Sequence, residues 1–377
     1  MQYRKFTSDG LNASILGFGC MRFPTIDNNL SNIDEKQSEK MLEYAIEHGV
    51  NYIDTAYTYH GDNSESFVGK FLKEKGLRKK VYLATKNPVW LVKEYNDFEK
   101  LLDEQLERLQ TDYIDFYLLH SLHEKTYRKI MNLNVFKFVD EAKKKGKIKY
   151  AGFSFHDELP LFKEITDAYP WDFCQIQLNY MDTEMQAGLE GLKYASNKGL
   201  DVVVMEPIKG GKLVNPSDEI KGIWSNSEIN RTPAEWALRW VFNYPEVKVV
   251  LSGMSSLEQV KENIRIANEG FPNSLSDKEL SLINEVSDVY KQKVKVGCTS
   301  CDYCQPCPYN VSIPNIFEMY NNMYVYNAIV PSKESYKKLI EESKDVSQCI
   351  ECGKCESICP QHLKIISLLK DAEKELI

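Results

Sequence analysis

From about residue 14 onward, short apolar runs alternate with longer stretches whose apolar positions recur every three to four residues. The runs fall near 14–20, 51–54, 81–85, 114–119, 148–153, 173–177, 201–205 and 247–251. Between them lie amphipathic stretches such as 33–47, 97–109, 134–145 and 232–242. A short run bounded by turn residues reads as a buried strand, and the three-to-four spacing reads as a helix with one apolar face. Regular alternation of the two predicts βαβ units and a parallel sheet. Eight such strands within about 290 residues is the size of a closed (β/α)8 barrel. An open doubly wound sheet is the rival, but no Gly-x-Gly-x-x-Gly opens a helix after the first strand. Ahead of the first run, Asp9-Gly10 between two short runs suggests a hairpin, and Gly49 reads as the cap that ends the first helix.

The pattern changes near Lys291, where a lysine-rich stretch leads into a segment dense in cysteine. The domain boundary is expected there, with a barrel over 1–290 and a second, smaller and mainly helical domain over 291–377. Of ten cysteines, Cys20 and Cys174 stand alone and read as small buried apolar side chains. The other eight fall between Cys298 and Cys359, a segregation that points to metal rather than to disulfides. A net charge of -8 without a basic stripe argues against a nucleic-acid partner. No run of eighteen apolar residues suggests a membrane span, and the polar first residues do not read as a secretory leader. A cytoplasmic setting is the expectation.

The ends of the expected strands carry an unusual set of groups. Asp54 ends one, with Tyr59 five residues on; Lys86 ends the next and His120 the one after. Ser154 and Gln177 follow at the ends of later strands. Singly, Lys86 could be a surface lysine with a buried stem and His120 a satisfied core histidine. Together they converge on the carboxyl-terminal mouth of the barrel, where a parallel α/β fold puts its chemistry and where an unpaired charge is costly.

Asp54, Tyr59, Lys86 and His120 match the signature of the aldo-keto reductases, and the chain resembles that family over roughly residues 1–290. The resemblance implies a (β/α)8 barrel that reduces an aldehyde or ketone, a small-molecule carbonyl substrate, with NADH or NADPH. It makes Tyr59 the proton donor and His120 the group that orients and polarises the carbonyl. A phenol near pKa 10 is a poor acid at neutral pH, and an adjacent ammonium favours the phenolate. Lys86, held by Asp54, is therefore expected to bring Tyr59 down toward the working range.

By the same resemblance, Ser154 and Gln177 hold the nicotinamide carboxamide, and the stretch 252–263 binds the adenosine end, through Gly253, Ser255, Gln259 and Asn263. Two positions depart from the family. Phe155 stands where an Asn usually follows the Ser, and Met205 stands where an aromatic residue usually stacks on nicotinamide. With Ser255, Ser256 and Gln259 in the adenosine stretch, no cation meets a 2′-phosphate, so little choice between NADH and NADPH is expected. A flavin in the barrel stays open as the alternative.

The two cysteine clusters are Cys298, Cys301, Cys304 and Cys307, and Cys349, Cys352, Cys355 and Cys359. The second has the C-x2-C-x2-C-x3-C-P run of bacterial ferredoxins, in which three thiolates hold one cubane and the fourth holds the other. Zinc, the rival metal, is usually held by two separated pairs. The segment resembles a two-cluster ferredoxin domain with a long helical insert, which implies two [4Fe–4S] clusters. In that pattern Cys298, Cys301 and Cys304 share one with Cys359, and Cys349, Cys352 and Cys355 share the other with Cys307.

Two functions follow. The first is an iron–sulfur aldo-keto reductase. The second is an electron-transfer protein, whose clusters pass single electrons to a flavin or to a redox partner protein while the barrel serves as a scaffold.

Overall fold

The computed structural model describes residues 1–298, 303–359 and 361–377. Two short strands, β1 (Tyr3–Phe6) and β2 (Leu11–Ser14), pair antiparallel as the expected hairpin. Eight parallel strands follow: β3 (Leu16–Gly19), β4 (Tyr52–Asp54), β5 (Tyr82–Asn87), β6 (Ile114–Leu122), β7 (Ile148–Phe155), β8 (Phe173–Gln177), β9 (Asp201–Met205) and β10 (Val247–Gly253). They close as a barrel in chain order, β10 pairing with β3.

Helices return the chain between strands where the pattern placed them. The first, Glu35–Glu47, begins where Asp34 Oδ1 accepts a bond from Gln37 N at 3.0 Å, and it ends before Gly49 at φ 95°. Tyr95–Arg108, Val135–Lys144 and Pro233–Phe242 lie within two residues of the expected spans. The hairpin closes the amino end of the barrel. Phe6 is fully buried and stacks on Phe116 at 4.7 Å, with Phe173 edge-on at 5.9 Å. Burying a phenylalanine contributes roughly 1.5–3 kcal/mol, enough to fasten the hairpin there. The carboxyl-terminal mouth is left for chemistry.

One irregularity bears on that mouth. Leu119 of β6 pairs with Phe153 of β7, and Leu122 pairs with Phe155, so three steps of β6 oppose two of β7. Ser121 takes up the extra residue at φ 54°. Such a bulge re-aims the side chains beside it, here those of His120 and Ser121.

The chain divides into two compact units, residues 1–210 with 234–276, and residues 211–233 with 277–377. The sequence boundary at 290/291 follows composition; by packing, the helix Asp277–Gln292 and the segment 211–233 group with the later residues. The reason is contact within the second unit. The Tyr290 ring lies 5.6 Å from that of Tyr326, and Lys293 Nζ donates to Ser217 Oγ at 2.8 Å and pairs with Glu219 at 2.8 Å. Amphipathic spacing does not record which partner an apolar face meets. The helices Ile313–Val325, Ile329–Glu341 and Ile365–Leu376 build this unit's core around Ile316, Phe317, Tyr336 and Leu369. Among the described residues no helix is long and apolar enough to cross a membrane.

Candidate functional site

Neighbouring strands bring the four tetrad residues together. Asp54 is the last residue of β4, Lys86 lies one from the end of β5, and His120 precedes the bulge near the end of β6. Lys86 is wholly buried, and its Nζ donates to Asp54 Oδ1 and to the Thr55 carbonyl, both at 2.7 Å. Its third contact is Tyr59 Oη at 3.4 Å. The Tyr59 and His120 rings meet edge to face at 6.2 Å, and Trp90, partly exposed, tilts over His120 at 5.1 Å. Tyr59 is set by a tight turn after the strand, its N–H donating to the Ala56 carbonyl at 3.2 Å.

Burial alone would push the Lys86 ammonium down, yet Asp54 and Tyr59 reverse this and hold it above its ordinary range. A buried cation at this point is thereby kept charged. For Tyr59 the balance differs from the expectation. Burial raises the phenol, Lys86 lowers it, and burial prevails, so Tyr59 lies above its ordinary value rather than below. Removing the phenol from water disfavours its anion more than one shared ammonium favours it. Burial, helped by Lys86 and His156, holds His120 well below the usual histidine range, so it is a neutral hydrogen-bonding ring. Its buried Nδ1 has no hydrogen-bond partner among the described residues.

The residues expected around a nicotinamide lie on the next strands. Ser154 is buried, and its Oγ accepts from Ser121 N at 2.7 Å across the bulge. Phe155 turns into the helix layer and meets Phe162 at 5.2 Å. Gln177 ends β8 opposite Met205, the last residue of β9, whose sulfur accepts from Gln175 Nε2 at 3.3 Å. At the adenosine stretch, Gly253 pairs with Gly19. Ser256 caps the helix Leu257–Asn268, and Ser255 N donates to Gln259 Oε1 at 2.8 Å. Asn263 Nδ2 donates to Ser252 Oγ at 3.0 Å. Gln259 is thus engaged by the backbone of its own turn, and Lys261 leans toward the Tyr44 ring at 5.5 Å.

In the second unit, Cys298, Cys304, Cys307, Cys349, Cys355 and Cys359 pack against one apolar core. Cys304, Cys307, Cys349, Cys352 and Cys355 line a single hollow with Val311, Ile313 and Leu369. Cys301 and Pro360 lie outside the described residues. Among the described residues, no three His, Cys, Asp or Glu side chains converge as one metal ion requires.

A family model described as the aldo/keto reductase family matches residues 15–288. The chain belongs to that family. A second model, described as a 4Fe-4S dicluster domain, matches residues 297–363. The chain is therefore an aldo/keto reductase, an oxidoreductase, that carries a 4Fe-4S domain. L-galactose dehydrogenase of Arabidopsis thaliana is 26% identical over 314 residues, covering 77% of this chain and 96% of its own length. Protein tas of Escherichia coli is 26% identical over 354 residues, covering 77% of this chain and 99% of its own. Among solved structures, the holo form of aldo-keto reductase AKR11C1 from Bacillus halodurans superposes with a TM-score of 0.63. It is 29% identical and covers 76% of this chain and 96% of its own.

The aldo/keto reductase barrel holds functional candidates that the pattern did not mark. Arg22, exposed after β3, crosses Gly253 so closely that a Cβ there would lie 2.6 Å from its Cγ, and its Nη2 approaches Gly210. This places a cation beside Gly253 in the stretch expected to bind the adenosine end, whose own cation, Lys261, leans toward Tyr44. The signal was a glycine at a strand end, which leaves room for a neighbour's side chain. Asp182 and Lys209 form a buried ion pair behind Gln177. Their pairing spans two loops, and no local spacing encodes it.

Proposed function

We propose that this chain reduces an aldehyde or ketone to the alcohol with NADH or NADPH, and that two [4Fe–4S] clusters sit in its second unit. The observation that carries the reading is the buried Asp54–Lys86 ion pair with Tyr59 Oη 3.4 Å from the ammonium and a neutral His120 beside it. A buried charged lysine is expensive unless it serves a partner, and here the partner is a phenol at the mouth of the barrel.

The nicotinamide, when bound, supplies the hydride. Tyr59 delivers the proton to the carbonyl oxygen, and Lys86 stabilises the negative charge left on the phenol. His120 donates a hydrogen bond that orients the carbonyl and draws charge onto its oxygen. Trp90, tilted over His120 and partly exposed, forms a wall for the substrate. Ser154 and Gln177 offer polar atoms at the ends of β7 and β8 that suit a carboxamide. Gly253 and the capped helix Leu257–Asn268 suit a phosphate.

For the clusters, the fit rests on Cys307 lining one hollow with Cys349, Cys352 and Cys355, the four thiols that the crossed ferredoxin pattern assigns to one cubane; Cys304, which that pattern assigns to the other, lines the same hollow. The clusters, when bound, exchange single electrons, whereas carbonyl reduction moves two. Phe155 turned into the core and Met205 in place of an aromatic ring favour the second reading, a protein whose clusters serve a flavin or a redox partner.

The test is anaerobic purification, extraction and identification of bound cofactor, and turnover of NADH and NADPH with a panel of aldehydes and ketones. Turnover that Tyr59→Phe abolishes is the expected result. Extraction of stoichiometric flavin, with no binding of either nicotinamide cofactor, would replace the first reading by the second.

A further inference from the structure

We infer that Lys209 and Asp182 are positioning residues that fix which end of the Gln177 amide faces the nicotinamide. This rests on the nicotinamide reading above, in which Gln177 is a ligand of the carboxamide.

Gln177 ends β8 almost fully buried, and both ends of its amide are engaged. Its Nε2 donates to Asp182 Oδ2 at 2.8 Å, and its Oε1 accepts from Gln186 Nε2 at 3.1 Å. A carboxylate can only accept, so the amide must turn its NH2 group to Asp182 and its oxygen away. That oxygen has two lone pairs, and Gln186 uses one. The other remains for an N–H of the incoming carboxamide. Were the amide reversed, two NH2 groups would face each other and the contact would be lost.

The orientation is only as firm as Asp182. This carboxylate is 4% exposed and is held by Asn179 Nδ2 at 3.1 Å as well as by Gln177. Its cation is Lys209, whose Nζ contacts the same Oδ2. Lys209 reaches it from the turn after β9, an irregular piece of backbone. Glu206 (φ 55°), Lys209 (φ 49°), Gly210 (φ 64°) and Gly211 (φ 95°) are all left-handed there. Two of the four are not glycine, and such residues adopt that conformation only where their surroundings impose it. Lys209 N donates to the Glu206 carbonyl at 3.0 Å, and Asn179 Nδ2 ties the same carbonyl to the Asp182 cluster at 3.3 Å. Turn, ion pair and amide thus form one unit at the carboxyl ends of β8 and β9. None of the tetrad residues belongs to it.

A role confined to the carboxamide makes a specific demand. Replacing Lys209 must weaken ligands that carry nicotinamide and spare those that do not. The experiment is titration of the anaerobic full chain with NADH, NADPH and ADP-ribose, which has the same pyrophosphate but no nicotinamide. Lys209→Met should weaken both dinucleotides at least tenfold, about 1.4 kcal/mol. ADP-ribose should stay within twofold, and Lys209→Arg should restore dinucleotide binding to within threefold of the parent. Retained ADP-ribose binding also shows that the variant is folded. If Lys209→Met fails to fold, Asp182→Asn is read by the same split.

Parallel weakening of ADP-ribose would move Lys209 onto the phosphates and overturn the inference, and so would unchanged dinucleotide binding. If the parent chain binds neither dinucleotide, the nicotinamide reading falls and takes this role with it. If the parent binds and the variants do not differ from it, this role alone falls.

Discussion

Lys86→Met tests whether the buried ammonium acts on the phenol at all. Lys86 Nζ lies 3.4 Å from Tyr59 Oη. A full charge on that oxygen would interact with the ammonium by about 5 kcal/mol at an effective dielectric near 20. A half-transferred proton develops about half of that, roughly 2.5 kcal/mol, or about 70-fold in rate at tenfold per 1.36 kcal/mol. Asp54, bonded to the same ammonium at 2.7 Å, opposes part of this, so a loss in kcat between about ten- and 70-fold is expected. The pH profile supplies an independent sign. The acid must be protonated, so reduction is fully present below the Tyr59 pKa and lost as pH rises through it. Burial raises that pKa and Lys86 lowers it, so removing Lys86 must move the alkaline limb upward. Because Lys86→Met alone strands the buried Asp54 carboxylate at a cost of about 3–5 kcal/mol, Lys86→Met/Asp54→Asn is compared with it in urea unfolding. The assay is steady-state reduction with saturating cofactor across pH. A kcat within threefold of the parent, or an alkaline limb that moves down, would refute the reasoning.

Tyr59→Phe removes only the hydroxyl proposed as the proton donor, so kcat should fall about 10²- to 10⁴-fold while cofactor affinity in a fluorescence titration stays within twofold. Anaerobic reconstitution should give about eight iron and eight sulfide per chain, and Cys359→Ser should impair the cluster built on the first cysteine motif. Iron near four per chain, or damage confined to the second-motif cluster in electron paramagnetic resonance, would refute the crossed arrangement. With Ser255, Ser256 and Gln259 uncharged, NADH and NADPH should bind within tenfold of each other unless Arg22 reaches the 2′-phosphate; a hundredfold preference for NADPH that vanishes in Arg22→Met would place that recognition on Arg22. Burial holds both His120 and His156 below the ordinary histidine value, so the unfolded chain binds more protons under about pH 6.5. Stability from urea midpoints should therefore drop as pH falls below that value, and His120→Asn should flatten the drop.

The barrel was legible because each strand is a short apolar run and each return helix shows its own period. The gathering of Asp54, Lys86 and His120 was legible because they fall at strand ends, which a parallel barrel brings to one mouth. What escaped was set by pairings across the fold. The bulge at His120–Ser121 arises from the register between β6 and β7, and β6 alone does not announce it. Arg22 gains its place from the missing side chain of Gly253, more than two hundred residues away. The raised Tyr59 pKa escaped for a different reason, since motif spacing names the ammonium beside a phenol but not the depth of burial it must overcome.

The division of the chain at 210/211, 233/234 and 276/277 bears on how this protein can be rebuilt. A tail joined once can be removed or transplanted at its joint, like a cassette. Here the polypeptide leaves the barrel after Gly210, contributes the helix Asp218–Trp224 to the second unit, and re-enters at Ala234 before leaving again. Stopping the chain at residue 290 would keep that helix and most of Asp277–Gln292 while deleting the rest of the unit they belong to, and an aggregating fragment is the expected product. Grafting residues 291–377 onto another barrel would carry the cysteines without two helices of their own unit. Any exchange between relatives must move the 211–233 excursion together with everything beyond Ser276, and lineages with and without the clusters should differ at both places at once.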